Sequence, residues 1–168
     1  MDNKLKITIA AEKHFSAIAN IYNESILGNQ ATMEELEHEA SDIKNWIANF
    51  NDREKLYVLL DEEKVLGWGI IKRYSDRGGY RFACETAIYL KSTETGKGLG
   101  TYFKKFIIEE CKRLKYNHLV AKIWANNQGS IEYNENLGYT IVGQQNKIGF
   151  RDGAWQDVVI MQYLIDPD

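Results

Sequence analysis

A glycine-rich segment, Thr95–Gly100 (TGKGLG), lies between a predicted strand and a predicted helix. Glycine lets the backbone turn tightly and approach a ligand closely. The first turn of a helix carries backbone N–H groups without intrahelical partners, at the positive end of the helix dipole. This pattern predicts a pyrophosphate-binding site that is built from Gly96, Lys97, Gly98, Leu99, Gly100 and Thr101.

The spacing of the glycines argues against two common nucleotide-binding loops. A Walker A loop requires G-x-x-x-x-G-K-[ST], and no such run occurs in the chain. A Rossmann loop requires G-x-G-x-x-G and an acidic residue about 20 positions later. Here the glycines are spaced G-x-G-x-G, and the next predicted strand ends without an acid. Once these two loops are set aside, coenzyme A is the remaining ligand that contains a pyrophosphate. The alternative is a glycine-rich start of a helix that binds no ligand.

Glu85 lies in the predicted strand Phe82–Leu90 (FACETAIYL), shortly before the glycine segment. Side chains alternate between the two faces of a strand, so Glu85 shares a face with Ala83, Ala87 and Tyr89. A carboxylate buried among such neighbours holds a proton more readily than one in water, which suits it to general-base work. The alternative is a glutamate at the rim of the sheet that forms an ion pair.

The glycine segment resembles the pyrophosphate signature of the GNAT superfamily, R/Q-x-x-G-x-G/A, with Thr95 where arginine or glutamine is usual. Farther along, the runs NQGS and LGY, at 127–130 and 137–139, are similar to the family's segment N-x-x-[SA]…[YH]-E-x-x-G-[FY]. The resemblance implies that acetyl-CoA is the cosubstrate and that it contacts Ile88, Tyr89, Leu90, Asn127 and Ser130. Asn127 and Ser130 have an ordinary alternative role in capping a helix N-terminus.

Two further segments resemble the phosphinothricin acetyltransferase group of this superfamily. Arg77–Thr86 (RGGYRFACET) is similar to R-x-x-Y-x-x-x-x-E-[ST], and Gly149–Val158 (GFRDGAWQDV) is similar to G-[YF]-[KR]-x-G-x-W-x-D-V. This resemblance implies that Arg77 and Tyr80 hold an acidic or carboxylate group of the substrate and that Trp155 walls the substrate cleft. A solvated arginine, a tyrosine at the edge of the core and a buried tryptophan are the alternatives.

One position departs from the family pattern. Many GNAT enzymes have a tyrosine there, and the phosphinothricin group often a histidine, as proton donor to the coenzyme A thiolate; this chain has Asn134. An amide cannot act as a general acid, although it can hydrogen-bond the leaving sulfur. Tyr133 is rotated by about 100° around a helix and is not a simple substitute. The group that protonates the thiolate is left unassigned.

The periodicity of the apolar residues predicts a mixed α/β fold. Strands are predicted over Lys6–Ala10, Leu56–Leu60, Val65–Arg73, Phe82–Leu90, His118–Trp124, Tyr139–Gln145 and Asp157–Ile165. Helices are predicted over Glu12–Ile26, Asp42–Phe50 and Gln128–Asn136, and a further helix opens at the glycine-rich segment and runs to about Leu114. This order fits the GNAT fold, a mixed, mostly antiparallel sheet of about seven strands with helices on both faces. A single domain over residues 1–168 is expected, with Gly28–Ala40 as a loop.

Composition and charge exclude several classes of protein. The formal net charge of −3, from 21 basic and 24 acidic residues, gives no basic face for nucleic acid. No apolar run approaches the about 20 residues that a transmembrane helix needs. The three histidines are far apart and the two cysteines have no metal or disulfide spacing, so no metal is expected and the cytoplasm is the expected compartment. Lys104 and the other lysines of its predicted helix are expected to face solvent.

These patterns predict an enzyme that moves acetyl from acetyl-CoA to the amino group of a small amino-acid-like substrate. By the resemblance, the substrate is of the phosphinothricin, methionine sulfone or methionine sulfoximine type, and Glu85 takes the ammonium proton. An acetyltransferase for another amine, such as a polyamine or a protein N-terminus, and a non-catalytic acetyl-CoA sensor are the alternatives. Glu85, Arg77 and Tyr80 argue against the sensor, while Asn134 argues for it. The resemblance also implies a homodimer.

Overall fold

The computed structural model describes residues 4–28 and 31–165. The strands are β1 (Leu5–Ile9), β2 (Lys55–Asp61), β3 (Lys64–Arg73), β4 (Ala83–Leu90), β5 (His118–Trp124), β6 (Thr140–Arg151) and β7 (Ala154–Leu164). The α-helices are α1 (Phe15–Leu27), α2 (Ala40–Ala48), α3 (Leu99–Arg113) and α4 (Gln128–Asn136). None of the described helices is long and apolar enough to cross a bilayer.

All seven strands form one sheet in the order β1-β2-β3-β4-β5-β7-β6. Neighbouring strands are antiparallel except β4 and β5. These two run parallel because α3 returns the chain across the sheet between them, as a parallel connection requires. The predicted mixed, mostly antiparallel sheet is therefore confirmed.

Alternating side chains of the central strands build one apolar core on each face of the sheet. Val58 and Leu60 of β2 pack with residues of α1 and α2 on one face, which we call the α1 side. Leu59, between them, packs with Phe103 and Ile107 of α3 on the other face, the α3 side. A shift of one residue in register would move each set into the core of the opposite face and disrupt the packing of both, so packing fixes the pairing. The prediction of helices on both faces is confirmed.

The sheet opens between β4 and β5. Their parallel pairing covers only 83–85 of β4 and 118–120 of β5. Beyond Glu85, β4 still pairs with β3, and beyond Val120, β5 still pairs with β7. Each strand is thus held on its outer side while the two inner edges separate. This opening lies at the end of β4 that leads to the glycine segment.

The C-terminal hairpin is longer than the sequence indicates. The predicted end of the strand at Gln145 and the loop from there to Asp157 are wrong, because Gly149 lies within β6 and pairs with Gln156 of β7. The chain reverses at Asp152 and Gly153, whose φ angles of 50° and 77° suit a tight hairpin turn. The middle of β6 is mostly polar and exposed, so no apolar period marks it. Pairing with β7 is what makes it a strand.

Candidate active site

The glycine segment, 95–100, leads directly into α3. Gly98 precedes the first helical residue in the left-handed conformation, with φ of 78°, and Gly96 has φ of 74°. Gly98 is the N-cap residue of α3 and has no side chain to cap the first turn. No described atom lies within 4 Å of where a Cβ of Gly96 or Gly98 would stand. The backbone N–H groups of this turn are therefore accessible to an anion such as a pyrophosphate.

The side chains of the segment hold the loop in place. Thr95 donates its hydroxyl to a backbone carbonyl within the loop at 2.9 Å. The Lys97 ammonium pairs with Glu94 at 3.0 Å, and Leu99 packs at the edge of the α3-side core. Thr101 is exposed on the first turn. The loop is thus fixed from within, and its glycine face is left open.

The opening between β4 and β5 forms a narrow cleft of about 100 Å³, which we call the interstrand cleft. Ile88 and Tyr89 line it from β4, and Asn127 and Ser130 line it from the start of α4. The Asn127 side chain also accepts the Ser130 backbone N–H at 3.1 Å, so these residues cap α4 as well. Leu90 ends β4 beside the glycine segment.

A larger cavity of about 630 Å³ opens on the α1 side of the sheet, and we call it the α1-side cavity. Glu85 lies on its wall with Tyr89, as strand alternation predicts. The expected burial of Glu85 is wrong, because 35% of its side chain is exposed. Its carboxylate forms an ion pair of 2.8 Å with Lys122, which alternation along β5 puts on the same side as Val120. Glu85 is therefore an ion-paired carboxylate that faces open space.

The interstrand cleft and the α1-side cavity meet. Ala31, Tyr89, Lys122 and Trp124 line both of them. The glycine segment begins α3 on one side of the sheet, whereas Glu85 faces the other side. A molecule that holds its phosphates at the glycine segment can therefore reach through the sheet and present its far end to Glu85.

The predicted loop Gly28–Ala40 forms another wall of the α1-side cavity. Residues 31–39 contain no helix or strand, and Asn29 and Gln30 lie outside the described residues. Thr32 and Met33 line the cavity. Gly149 of β6 lies against Met33, where a Cβ would come within 2.6 Å of the Met33 sulfur. The loop therefore packs closely on the C-terminal hairpin.

Arg151 at the end of β6 fixes this loop, and only 5% of it is exposed. Its guanidinium donates to the carbonyls of Ile26 at 2.6 Å and Thr32 at 2.9 Å. It also donates to the carbonyl of Glu34, and the Tyr22 hydroxyl contacts the Thr32 hydroxyl at 2.9 Å. Arginine suits this role because it presents five donors in one plane. Sequence reasoning missed it, although it occupies the basic position of the motif G-[YF]-[KR]-x-G.

The three residues predicted to bind substrate lie outside the wall of the α1-side cavity. Arg77 is exposed in the loop before β4. Trp155 is 60% exposed, with its ring against Phe150. Tyr80 lines a neighbouring cavity that shares Tyr74 with the α1-side cavity. The structure does not bring the three together beside Glu85 within one chain, and their roles stay predictions.

Lys104 does not face solvent, and that prediction is wrong. Only 3% of it is exposed, and it lines the interstrand cleft. Its ammonium donates to the Thr86 hydroxyl at 2.9 Å and lies 4.9 Å from the centre of the Tyr139 ring. On α3 it lies one turn before the buried Ile108, and this spacing turns it toward the sheet. Burial lowers the pKa of the Lys104 ammonium to about 8.

Asn134 and Tyr133 of α4 also line the interstrand cleft. The Asn134 amide donates to the Ser130 carbonyl at 2.8 Å, while its Oδ1 is buried without a hydrogen-bond partner in the described structure. The Tyr133 hydroxyl donates to the Gly100 carbonyl at 2.6 Å and ties α4 to the glycine segment. Burial raises the pKa of this phenol well above its usual range. The Tyr133 proton is therefore already engaged in a structural contact.

The described residues form no metal-binding cluster, and the two cysteines are buried. Across residues 4–28 and 31–165, no group of three or more His, Cys, Asp or Glu side chains could hold a metal ion. Cys84 and Cys111 are buried free thiols with their sulfur atoms 3.7 Å apart. Cys84 packs in the α3-side core, on the opposite face of β4 from Glu85, as alternation predicts.

Comparison with known proteins places these features in a family. A sequence model of the acetyltransferase (GNAT) domain matches residues 7–160. The L-methionine sulfoximine/L-methionine sulfone acetyltransferase of Salmonella typhimurium is 30% identical over 166 residues, which cover 96% of this chain and 95% of that protein. The phosphinothricin N-acetyltransferase of Alcaligenes faecalis is 25% identical, over 93% of this chain and 80% of that protein.

A solved structure of an acetyltransferase has the same fold. The GNAT superfamily phosphinothricin acetyltransferase from Sinorhizobium meliloti, in complex with acetyl-CoA, superposes with a TM-score of 0.90 at 27% identity. The superposition covers 96% of this chain and 89% of that chain. The resemblance carried by the motifs is confirmed, and the chain belongs to the GNAT family of acetyltransferases.

Proposed function

We propose that this chain, as a single domain of residues 1–168, is an acetyl-CoA-dependent N-acetyltransferase for the amino group of a small amino-acid-like substrate. The observation that carries this proposal is the opening through the sheet. It joins the glycine segment to the ion pair of Glu85 and Lys122. The relatives compared above are named for methionine sulfoximine, methionine sulfone or phosphinothricin, which are amino acids with a modified side chain.

Acetyl-CoA is the acyl donor, and the donor side of the site fits it. Its pyrophosphate binds at the open backbone of Gly96–Thr101. Its pantetheine arm, which carries amide groups, follows the free edge of β4 at Ile88–Leu90 in the manner of an added strand. Asn127 and Ser130 lie on the other side of the arm. The thioester then reaches the junction of the interstrand cleft and the α1-side cavity.

The acceptor side suits a zwitterion. An α-amino acid can turn its ammonium toward Glu85 and its carboxylate toward Lys122. Glu85 then pairs with the substrate ammonium and Lys122 with the substrate carboxylate, so each side chain keeps a partner of opposite charge. This limits the free-energy cost of removing these charges from water. Arg77 and Tyr80 serve a further acidic group of the substrate at the outer rim, and Trp155 forms the outermost wall.

The chemistry divides between the two sides. Glu85 removes a proton from the substrate ammonium, directly or through one water molecule. The neutral amine attacks the carbonyl carbon of the thioester from the α1-side cavity. Backbone N–H groups of Ile88–Leu90 donate to the oxyanion that forms there. The carbon–sulfur bond then breaks, and coenzyme A leaves through the interstrand cleft.

The proposed function is tested by measuring thiol release from acetyl-CoA with a panel of amines. We expect release with methionine sulfoximine, methionine sulfone or phosphinothricin, and much less with a polyamine, because a polyamine brings a second cation to Lys122. Acetylation of polyamines or of peptide N-termini in preference would contradict the substrate class. Binding of acetyl-CoA without thiol release for any amine would indicate the sensor instead.

Gly100→Glu is expected to weaken acetyl-CoA binding by about 10–100-fold, because it adds a negative charge beside the pyrophosphate. The fold should survive, since a Cβ at this position meets Tyr133 and Leu90 only at ordinary distances of 3.6–3.8 Å. Calorimetric titration measures the dissociation constant. Gly100→Ala is the matched control, which adds the Cβ without the charge and should bind within about threefold of wild type. Unchanged binding by the glutamate variant would refute the site.

The protein is also proposed to be a cytoplasmic homodimer. Val142, Ile148 and Phe150 of β6 are 54–59% exposed, and β6 is an edge strand of the sheet. Light scattering should give twice the mass of one chain at micromolar concentration. Val142→Glu should shift that mass toward the monomer, whereas Ile9→Glu, at an equally exposed site on the opposite edge strand, should leave it unchanged. A monomeric wild type would contradict the dimer.

A further inference from the structure

A buried cation that the mechanism above does not use lines the interstrand cleft. Lys104 forms no ion pair in the described part of the chain, and its ammonium contacts the Thr86 hydroxyl and the face of the Tyr139 ring. A buried charge without a counter-ion is costly. A lysine kept in this position therefore points to an anion that forms in the cleft.

We propose that the Lys104 ammonium gives its proton to the coenzyme A sulfur as the carbon–sulfur bond breaks. This inference rests on the proposed acetyl transfer. Thr86, which accepts the hydrogen bond from Lys104, follows Glu85 in β4 and faces the opposite side of the sheet. The amine attacks from the side of Glu85, so the sulfur departs on the side of Lys104.

The step balances in protons and electrons. The electron pair of the carbon–sulfur bond moves to sulfur as the tetrahedral intermediate collapses. Sulfur then forms a bond to one proton of the Lys104 ammonium, which gives a neutral thiol and a neutral amine. The neutral amine of Lys104 regains a proton from solvent after coenzyme A leaves. The substrate ammonium has meanwhile lost one proton to Glu85 before attack and a second to solvent after it.

Two other polar side chains of the cleft, those of Asn134 and Tyr133 on α4, are poorly suited to this step. Asn134 has no acidic proton, and the Tyr133 hydroxyl is committed to a backbone carbonyl. The titratable groups that face Lys104 from the packed elements are Cys84 of β4, Cys111 of α3 and Tyr139 before β6. The two thiols contact each other, and the tyrosine hydroxyl contacts Thr86 at 3.2 Å.

The pH dependence has a definite sign. The protonated lysine is the active form, and burial lowers the pKa of Lys104 to about 8, close to the pKa of a cysteine thiol, about 8.5. Proton transfer between the two is therefore nearly balanced at neutral pH. We expect kcat to fall as pH rises through about 8 in the wild type, and this decrease to be absent when Lys104 is replaced.

Lys104→Met tests the role in turnover. It should lower kcat by about 10²-fold, at the lower end for proton transfer because a thiolate is already a good leaving group. Lys104→Arg keeps a charge that does not lose its proton, so it should not restore the rate or the decrease near pH 8. Lys105→Met is the matched control, since it removes an exposed lysine at the next position of α3 and should leave kcat unchanged.

A binding measurement separates this role from a structural one. Free coenzyme A and its analogue without the sulfur are titrated into each variant by calorimetry at pH about 7.5, below the pKa of about 8 of Lys104. Wild type should bind coenzyme A about tenfold more tightly than the analogue, because the Lys104 ammonium attracts the bound thiolate. Lys104→Met should lose this preference. Equal preferences in both proteins, or a slow variant that keeps the decrease of kcat near pH 8, would overturn the inference. If the wild type bound neither ligand, the proposed function itself would fail.

Discussion

Glu85→Gln is expected to lower kcat by about 10²–10⁴-fold while acetyl-CoA binds with unchanged affinity. Glutamine keeps the shape of the side chain but cannot take the ammonium proton. The glycine segment lies beyond the end of β4, so the change leaves the pyrophosphate site intact. Initial rates from thiol release, with acetyl-CoA affinity from calorimetry, measure both effects. Relative to wild type at the same pH, the loss should be partly recovered at high pH, where more of the substrate amine is already neutral.

The ion pair with Lys122 calls for a control, because Glu85→Gln also breaks that contact. Lys122→Met breaks the same pair and leaves the carboxylate in place. If Glu85 acts as the base, Lys122→Met should keep most of kcat and raise KM for the amino-acid substrate. A Glu85→Gln variant with nearly wild-type kcat/KM at neutral pH would instead mean that Glu85 is structural and that catalysis rests on positioning.

The parts of the fold and site that the sequence predicts are those with a local signal. Strand alternation puts Glu85 and Tyr89 on one face and Cys84 on the other, and the structure agrees. The glycine segment predicts the start of its helix because Gly96 and Gly98 adopt positive φ angles, which other residues rarely do. Such signals depend on neighbours within one element, so one sequence suffices to read them.

The features that the sequence does not predict depend on contacts between distant elements. Lys122 meets Glu85 only because β4 and β5 are adjacent in the sheet, 37 residues apart in the chain. Lys104 is buried because its side of α3 covers β4, whereas its residue type alone predicts solvent exposure. The middle of β6 is a strand only through pairing with β7. The helical period of α3 indicates which side Lys104 is on, but the partners in all three contacts come from other elements and no pattern within one element names them.

Arg151→Met should loosen the loop over the α1-side cavity and destabilise the protein. The guanidinium joins carbonyls at the end of α1 and in the loop, over sequence separations of 117–125 residues. Hydrogen bonds to a charged donor contribute about 1.5–3 kcal/mol each, and methionine replaces none of them. We expect the free energy of unfolding to fall by at least about 4 kcal/mol, close to the lower sum for the three bonds. Denaturant titration followed by tryptophan fluorescence measures this change.

The same variant should affect the two substrates unequally, because Thr32 and Met33 line the α1-side cavity and not the glycine segment. We expect KM for the amine to rise by about tenfold or more, since lost positioning of a binding wall weakens contacts to the substrate, while KM for acetyl-CoA changes little. Arg113→Met is the matched control, because its side chain is 76% exposed and makes no contact with the described part of the loop, while its partner Glu110 keeps the hydrogen bond that the Tyr57 hydroxyl donates to it. If Arg151→Met and Arg113→Met had equal stability and equal KM for the amine, Arg151 would not be what holds the loop over the site.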